Sequence, residues 1–235
     1  MSFRALLFDI DGTLISCGGA GRRSLERAME RHLGDAVRPE ETWLSGMKLD
    51  GMTDRLIVRE AMLALGLEFD EARCDRILES YVEVLRTEIS GPGYCVLPGV
   101  ERVLGLAANA GVLVGLCTGN VIGGARVKLG RGGLDRHFGW DQAAPNGFAE
   151  DGEARERIVA AVLRRAAQRA GGAFSARDAV VIGDTPRDIA AARVHGVPVL
   201  AVATGRFSAE QLAREGADLT VESLEDPAAA EFLLG

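Results

Sequence analysis

Four short runs of apolar residues constrain the fold of this chain most, because each run stops abruptly at polar or glycine residues. The first run is Ala5–Phe8, and the acidic segment Asp9-Ile10-Asp11 follows it. The other three cover residues 112–117, 179–183 and 197–202, and they end in Thr118-Gly119-Asn120, Asp184-Thr185-Pro186 and Ala203-Thr204-Gly205. Runs of this length and composition are typical of strands buried on both faces.

Helical patterns separate these runs. Helices are predicted over residues 100–110, 153–170 and 186–194, the last with Thr185 as its N-cap and Pro186 at its first position. Buried strands that alternate with helices predict an α/β fold with a parallel sheet between two helical layers, a Rossmann-like three-layer core. Ligands of such sheets bind beyond the carboxyl ends of the strands. We therefore expect the polar residues after the strands to meet in one site.

One stretch interrupts this alternation. Residues 24–33, 54–65 and 70–89 show helical patterns with no strand between them, and glycine-rich segments flank the stretch at 18–21 and 91–93. This pattern predicts a helical cap domain inserted above the edge of the sheet. The expected domains are a Rossmann-like core of residues 1–16 and 92–235 and a cap of residues 17–91.

Composition excludes several classes of function. The chain has 235 residues and a formal net charge of -7, so a nucleic-acid partner is not expected. Its four cysteines lack the spacing of a metal-thiolate site or a disulfide framework. The N-terminus does not read as a signal peptide, and no apolar run is long enough for a membrane span. We expect a cytoplasmic protein, a monomer or a homodimer, with neither membrane nor nucleic-acid partners.

The segment Asp9-Ile10-Asp11-Gly12-Thr13 carries the strongest chemical signal. Two carboxylates that follow a strand two residues apart face one point if the chain turns after the first. One carboxylate then attacks an electrophile while the other transfers a proton. Gly12 permits the turn, and Thr13 is a candidate for binding substrate. Considered alone, the segment is also compatible with a simple Asp-Gly turn after a strand.

Two further strand ends carry polar groups of their own. Asp184 and Asp188 lie about one helical turn apart, and carboxylates near those of Asp9 and Asp11 would form an oxygen-rich site suited to Mg²⁺. The residues Thr118-Gly119-Asn120 open a helix, whose first N–H groups would hold a phosphoryl oxygen. Each feature taken singly is also explained by helix capping.

The combination of these motifs resembles the haloacid dehalogenase superfamily, whose members are mostly phosphohydrolases, and the resemblance extends over the whole chain. Residues 9–14 resemble its first motif, Thr118 its second, and Gly183-Asp184 through Asp188 its fourth. The helical insertion is similar to the family's helical cap. The resemblance implies a Mg²⁺-dependent phosphatase of a small phosphorylated metabolite.

The resemblance also implies the role of each residue. Asp9 would form an aspartyl-phosphate, and Asp11 would protonate the leaving oxygen and then activate water. Thr118 is the second-motif catalytic residue, while Gly119 and Asn120 would contact substrate. The metal would be held by Asp9, by the backbone carbonyl of Asp11 and by Asp184, with Asp188 behind them.

The third motif departs from the family pattern, which places a lysine before the helix that precedes the Asp184 strand. The chain has 25 arginines and only two lysines: Lys48 in the predicted cap and Lys128 in the helix after Thr118. Arg155 stands at the expected place and is assigned as the catalytic cation, because a guanidinium binds phosphate in a bidentate manner. Arg157 is the alternative, and both arginines are also compatible with a solvated helix surface.

Other functions remain open from the sequence. A phosphonatase needs a cap lysine, for which Lys48 is available, and a sugar-phosphate mutase shares all four motifs. A non-catalytic phospho-accepting or binding module is disfavoured by the presence of Asp9, Asp184 and the helical insertion. The identity of the substrate is not readable, and Arg55 is taken as a cap residue that contacts it.

Overall fold

The computed structural model describes residues 3–34, 44 and 46–235. In these residues the strands are β1 (Ala5–Phe8), β2 (Ile15–Cys17), β3 (Tyr94–Val96), β4 (Leu113–Leu116), β5 (Ala179–Gly183), β6 (Val199–Val202) and β7 (Leu219–Val221). The α-helices are α1 (Ala20–Leu33), α2 (Asp54–Ala64), α3 (Glu71–Glu88), α4 (Val100–Asn109), α5 (Ile122–Arg131), α6 (Arg155–Ala170), α7 (Pro186–Val194), α8 (Ala209–Arg214) and α9 (Pro227–Leu234).

Five strands form one parallel sheet in the order β4-β1-β5-β6-β7. Every residue of β1 and β5 is buried. Leu6 and Phe8 pack into an apolar cluster on one side of the sheet, while Ala5 and Leu7 pack into another on the opposite side. Burial on both faces explains why these strands read as continuous apolar runs. The predicted α/β fold is confirmed.

The helices of the core begin and end close to the predicted positions. Helix α7 has the predicted bounds, because Pro186 is its first residue and the Thr185 hydroxyl accepts the Asp188 N–H. Helix α6 begins at Arg155, two residues later than expected, after an extended Ala154. The register of α6 at this point decides which arginine faces the sheet.

Three strands were not predicted. Strand β7 extends the sheet edge beside β6, and β2 and β3 pair with each other as an antiparallel ribbon in the register Ser16↔Cys95. Each of the three contains only three residues. Strands this short contain too little of the alternating pattern to be recognised, and β2 and β3 also lie far apart along the chain.

The described residues between β2 and β3, called the helical segment below, contain helices α1, α2 and α3. Their apolar cluster also includes Val121 and Ala149 of the core. The chain enters and leaves this segment through the β2–β3 ribbon. There Gly18 has a positive φ of 55°, and a Cβ on it would lie 2.3 Å from the carbonyl oxygen of Pro92. The two predicted glycine-rich flanks therefore lie against each other. Among the described residues, no helix is both long and apolar enough to cross a membrane.

Candidate active site

Asp9 lies at the carboxyl end of β1, between the ends of two neighbouring strands. Its N–H donates to the carbonyl of Ile182 in β5, and the carbonyl of Phe8 accepts the N–H of Cys117 just beyond β4. The side chain of Asp9 is almost fully buried, but it reaches the wall of the cavity described below. Parallel pairing thus places Asp9 between the Thr118 and Asp184 loops.

The turn after Asp9 depends on Gly12, whose φ is 83°. A Cβ at this position would lie 2.2 Å from Oδ2 of Asp184, so only glycine allows the two loops to approach so closely. The hydroxyl of Thr13 donates to Oδ1 of Asp184 at 3.3 Å, and that of Thr204 donates to the carbonyl of Gly12 at 2.5 Å. The loop after β6 therefore also joins the site.

Asp9, Asp184 and Asp188 form a buried acidic cluster in which one carboxylate oxygen of each lies within 4.8 Å of the others. Burial above all, and then the negative charges of Asp188 and Asp9, raise the pKa of Asp184 to about 9. Burial also raises the pKa of Asp9 to about 6, although the Arg155 guanidinium opposes the rise. The cluster gathers more negative charge than one arginine balances, so a divalent cation fits its chemistry.

Arg155 enters this cluster from the first turn of α6. Its Nη2 lies 2.9 Å from Oδ1 of Asp9 and also pairs with Oδ1 of Asp188. Its side chain is 7% exposed, whereas Arg157, two residues further along the helix, is exposed. The structure thus brings Arg155 to Asp9, the predicted nucleophile, and leaves Arg157 at the surface.

Asp188 has two roles in its surroundings. Its Oδ2 accepts the N–H of Thr185 at 3.1 Å and the hydroxyl of Thr185 at 2.7 Å, which closes the capping box of α7. Its Oδ1 is the oxygen that pairs with Arg155. The same carboxylate therefore starts the helix and orients the cation beside Asp9.

Asp11 lies on the other side of the cavity mouth, and its side chain is 42% exposed. Its Oδ2 accepts Nδ2 of Asn120 at 2.9 Å and Nζ of Lys128 at 2.5 Å, and its Oδ1 accepts the thiol of Cys17 at 3.1 Å. Desolvation at the cavity wall raises the pKa of Asp11, but the Lys128 ammonium and these hydrogen bonds outweigh it, so the pKa lies below its usual value. The sequence did not predict this contact between Lys128 and Asp11.

Thr118 lies beneath the cavity floor and does not line the cavity. It is fully buried, and its hydroxyl oxygen accepts the N–H of Asn120 at 3.3 Å and the side-chain amide of Asn120 at 2.9 Å. Gly119 and Asn120 line the cavity itself. In this loop Asn120 therefore lines the cavity, and its hydrogen bonds to the buried Thr118 hydroxyl fix its position.

The helical segment closes on this loop. The N–H of Asp54 donates to the carbonyl of Gly119 at 2.8 Å, and Oδ2 of Asp54 accepts the N–H of Val121 at 2.9 Å. A Cβ on Gly119 would lie 2.5 Å from the carbonyl oxygen of Met52. The N-terminus of α2 is therefore docked directly on the loop that follows β4.

A cavity of about 480 Å³ lies between the strand ends and the helical segment. The helical segment lines it with Arg22, Leu25, Met52, Ile57 and Tyr81, and the core lines it with Asp9, Asp11, Asn120, Lys128, Arg155 and Asp184 among others. A space of this size accommodates a small metabolite.

Two residues considered from the sequence lie elsewhere. Arg55 is not among the residues that line the cavity, because its guanidinium pairs with Glu71 and Asp75 on α3. Lys48 lines a separate surface cleft beside Met47 and Glu60, whereas the lysine that lines the cavity with Asp9 and Asp11 is Lys128. The phosphonatase alternative therefore has no cap lysine at the cavity among the described residues.

Comparisons of sequence and structure show which known proteins this chain is similar to. Residues 3–196 match the sequence model of the haloacid dehalogenase-like hydrolases. The phosphoglycolate phosphatase of Rhodospirillum rubrum is 30% identical over 91% of this chain and 85% of its own length. That of Mesorhizobium japonicum is 29% identical over 87% of this chain and 85% of its own length. The crystal structure of CbbY from Rhodobacter sphaeroides, in complex with phosphate, has a TM-score of 0.73 at 16% identity over 97% of this chain and 99% of that one.

Proposed function

Since this chain belongs to the haloacid dehalogenase-like hydrolases and acts on phosphoric monoesters, we propose that it dephosphorylates a small anionic metabolite of the phosphoglycolate class by way of Asp9. The observation that carries the proposal is the position of the Asp9 carboxylate. It is buried at a strand end, paired with Arg155 at 2.9 Å and open to a cavity. A carboxylate held in this way is oriented for attack on a phosphorus atom.

The proposed reaction has two steps. In the first, an Asp9 oxygen bonds to phosphorus while the ester P–O bond breaks. The electron pair of the broken bond leaves with the ester oxygen, which takes the proton of the Asp11 carboxyl group. In the second, Asp11 takes a proton from water, the water oxygen attacks phosphorus, and the bond to Asp9 breaks. Inorganic phosphate leaves, Asp9 is again a carboxylate, and Asp11 again carries its proton.

Arg155 and the second-motif loop support both steps. The Arg155 guanidinium is oriented by Asp188 and would neutralise charge on the phosphoryl oxygens next to Asp9. Gly119 and Asn120 lie at the cavity wall beside the start of α5, where backbone N–H groups favour an anion. Thr118 and Thr13 would act from behind, by holding Asn120 and Asp184 in place.

We propose Mg²⁺ as the cofactor, because its preference for carboxylate and carbonyl oxygens suits the acidic cluster. Asp9, Asp184 and the backbone carbonyl of Asp11 would hold it, with Asp188 in the surrounding shell. When bound, Mg²⁺ supplies positive charge that offsets the repulsion between the phosphoryl group and Asp9. The raised pKa of Asp184 is consistent with a site organised around a cation.

The cavity and the relatives support the proposed substrate class. Several curated relatives are phosphoglycolate phosphatases, and phosphoglycolate is a small ester with a carboxylate at the other end. Arg22 lines the cavity from α1, on the wall formed by the helical segment. We propose that the segment 17–91 is a cap domain that closes over such a substrate, and that the protein works in the cytoplasm as a monomer or homodimer.

The test is a panel of phosphorylated metabolites assayed with and without Mg²⁺, with phosphoglycolate, phosphonoacetaldehyde and glucose 1-phosphate included. We expect phosphate release from phosphoglycolate only with Mg²⁺ and a phosphorylated Asp9 peptide after rapid acid quench. Asp9→Asn is expected to abolish turnover while the thermal unfolding midpoint is retained. Activity of Asp9→Asn within about tenfold of the wild type would be incompatible with covalent catalysis at Asp9.

A further inference from the structure

Lys128 has no role in the reaction steps proposed above, although it lies at the same cavity. It lies in α5, it is only 4% exposed, and its ammonium reaches the cavity wall. Its Nζ donates to Oδ2 of Asp11 at 2.5 Å and to Oδ1 of Asn120 at 2.5 Å. Burying a lysine ammonium costs free energy unless its N–H groups are paired. The contacts of Lys128 with Asp11 and Asn120 therefore explain why it is tolerated here, and packing alone does not.

The ammonium completes a closed set of hydrogen bonds around the Asp11 carboxylate. Asn120 donates from Nδ2 to Asp11 and accepts Lys128 at Oδ1, so the three side chains form a triangle. The thiol of Cys17 holds the other carboxylate oxygen. With donors on both oxygens, the Asp11 carboxylate has one defined orientation at the cavity wall.

The choice of lysine is itself informative, because nearly every other basic residue of this chain is an arginine. A Cβ on Gly21 of α1 would lie 3.4 Å from Nζ of Lys128 and 3.9 Å from the hydroxyl of Tyr81. The backbone of the helical segment therefore passes directly over the ammonium. A compact point charge fits under it, whereas the planar guanidinium of an arginine is larger.

We propose that Lys128 is a positioning residue for the proton-transfer carboxylate: together with Asn120 it fixes the orientation of Asp11 toward the leaving oxygen of the substrate. The proposal rests on the proposed function and adds to it a residue outside the four family motifs. Lys128 contacts Asp11, so in the first step, which kcat/KM reports, it acts only where the leaving oxygen needs a proton.

The experiment compares two esters at saturating Mg²⁺. Phosphoglycolate releases an alkoxide-like oxygen that needs a proton, whereas p-nitrophenyl phosphate releases a stable phenolate that does not. We expect Lys128→Met to lower kcat/KM for phosphoglycolate by about a hundredfold and to lower kcat/KM for p-nitrophenyl phosphate by less than about threefold. Asp11→Asn should show the same selectivity. Arg131→Met, an exposed position on the same helix, is the matched control and should change neither value.

The double variant separates positioning from other roles. If Lys128 acts through Asp11, Lys128→Met adds no further loss of kcat/KM in an Asp11→Asn background. Equal losses on both esters, or additive losses in the double variant, would overturn the proposal. So would a higher KM for phosphoglycolate at unchanged kcat, because that result assigns Lys128 to direct contact with the substrate. Lys128→Gln replaces Lys128→Met if the latter does not fold.

A second readout needs no turnover and separates this proposal from the proposed function. If the wild type hydrolyses neither ester, the proposed function fails. The crystal structure of the Lys128→Met variant then still decides the positioning role. We expect the Asp11 carboxylate to rotate away from Asn120, and retention of the 2.9 Å contact between Asn120 Nδ2 and Asp11 Oδ2 would overturn the proposal.

Discussion

Nη2 of Arg155 lies 2.9 Å from Oδ1 of Asp9 and at the same time pairs with Asp188. The strand end that carries Asp9 and the first turn of α6 lie far apart in the chain, and the parallel sheet brings them together. Burial would lower the pKa of Arg155, but the two carboxylates outweigh it and hold the pKa above its usual value. The guanidinium therefore remains charged at any pH at which the fold persists.

Arg155→Ala should reduce kcat by about a hundredfold or more, because it removes the cation beside Asp9 and leaves Asp188 without a charged partner. Arg157→Ala is the matched control on the same helix, and its exposed side chain should make it nearly silent. Arg155→Lys should restore part of the activity, since lysine supplies charge without the bidentate geometry. Steady-state kinetics at saturating Mg²⁺ measure all three variants. A damaging Arg157→Ala with a silent Arg155→Ala would refute the assignment.

Asp184→Ala should abolish the binding of Mg²⁺, because the proposed site loses one of its two carboxylate ligands. Isothermal titration calorimetry with Mg²⁺ measures this directly, without substrate. Glu210→Ala, an exposed acid on α8, is the control for nonspecific loss of charge. Unchanged Mg²⁺ affinity in Asp184→Ala would place the metal elsewhere.

Gly119→Ala should impair closure of the helical segment on the core. Its new Cβ would lie 2.5 Å from the carbonyl oxygen of Met52 and 2.9 Å from Cα of Thr53. Both are backbone atoms, so a change of side-chain rotamer cannot relieve the clash. We expect kcat/KM to fall about tenfold or more, since a displacement of about 1 Å in an active site has effects of this size. Gly130→Ala in α5 is the control, because its Cβ would meet nothing within 4 Å. Equal kinetics for the two variants would show that this contact is dispensable.

Asp54→Asn should stabilise the protein above pH 6. Burial raises the pKa of Asp54 to about 6, although Lys128 and the Val121 N–H oppose the rise. In the unfolded chain the carboxyl ionises near pH 4, so wild-type stability falls as the pH rises from about 4 to about 6. Asparagine keeps an oxygen for Val121 and carries no charge, so it avoids this loss, which corresponds to about 3 kcal/mol.

Thermal or denaturant unfolding of both proteins between pH 4 and pH 7.5 measures this effect. The difference in the free energy of unfolding between Asp54→Asn and the wild type should grow across the window and then level off. Asp75→Asn, at an exposed position on α3, serves as the control. A difference that does not depend on pH would show that Asp54 is not held at a raised pKa.

Local sequence determined the elements with strong periodic or capping signals. The buried strands β1 and β5 and helix α7 have their predicted bounds. A strand buried on both faces is a continuous apolar run, and the start of α7 is given by the N-cap Thr185 and by Pro186, so a few consecutive residues identify each element. The order of strands and helices was enough to predict a parallel sheet. The positions of Asp9, Asp11 and Asp184 just past buried strands follow from the same local patterns.

Only the tertiary structure decided which distant residues meet. Lys128 reaches Asp11 across 117 positions of the chain, and Asp54 is buried by docking on the loop that follows β4. Arg55, one residue after Asp54, turns instead to the acids of α3. Adjacent residues of a helix lie on different faces. The sequence alone does not show which of these faces is buried against the rest of the protein. Strand ends follow from local patterns, whereas the partners of a buried charge depend on how whole elements pack.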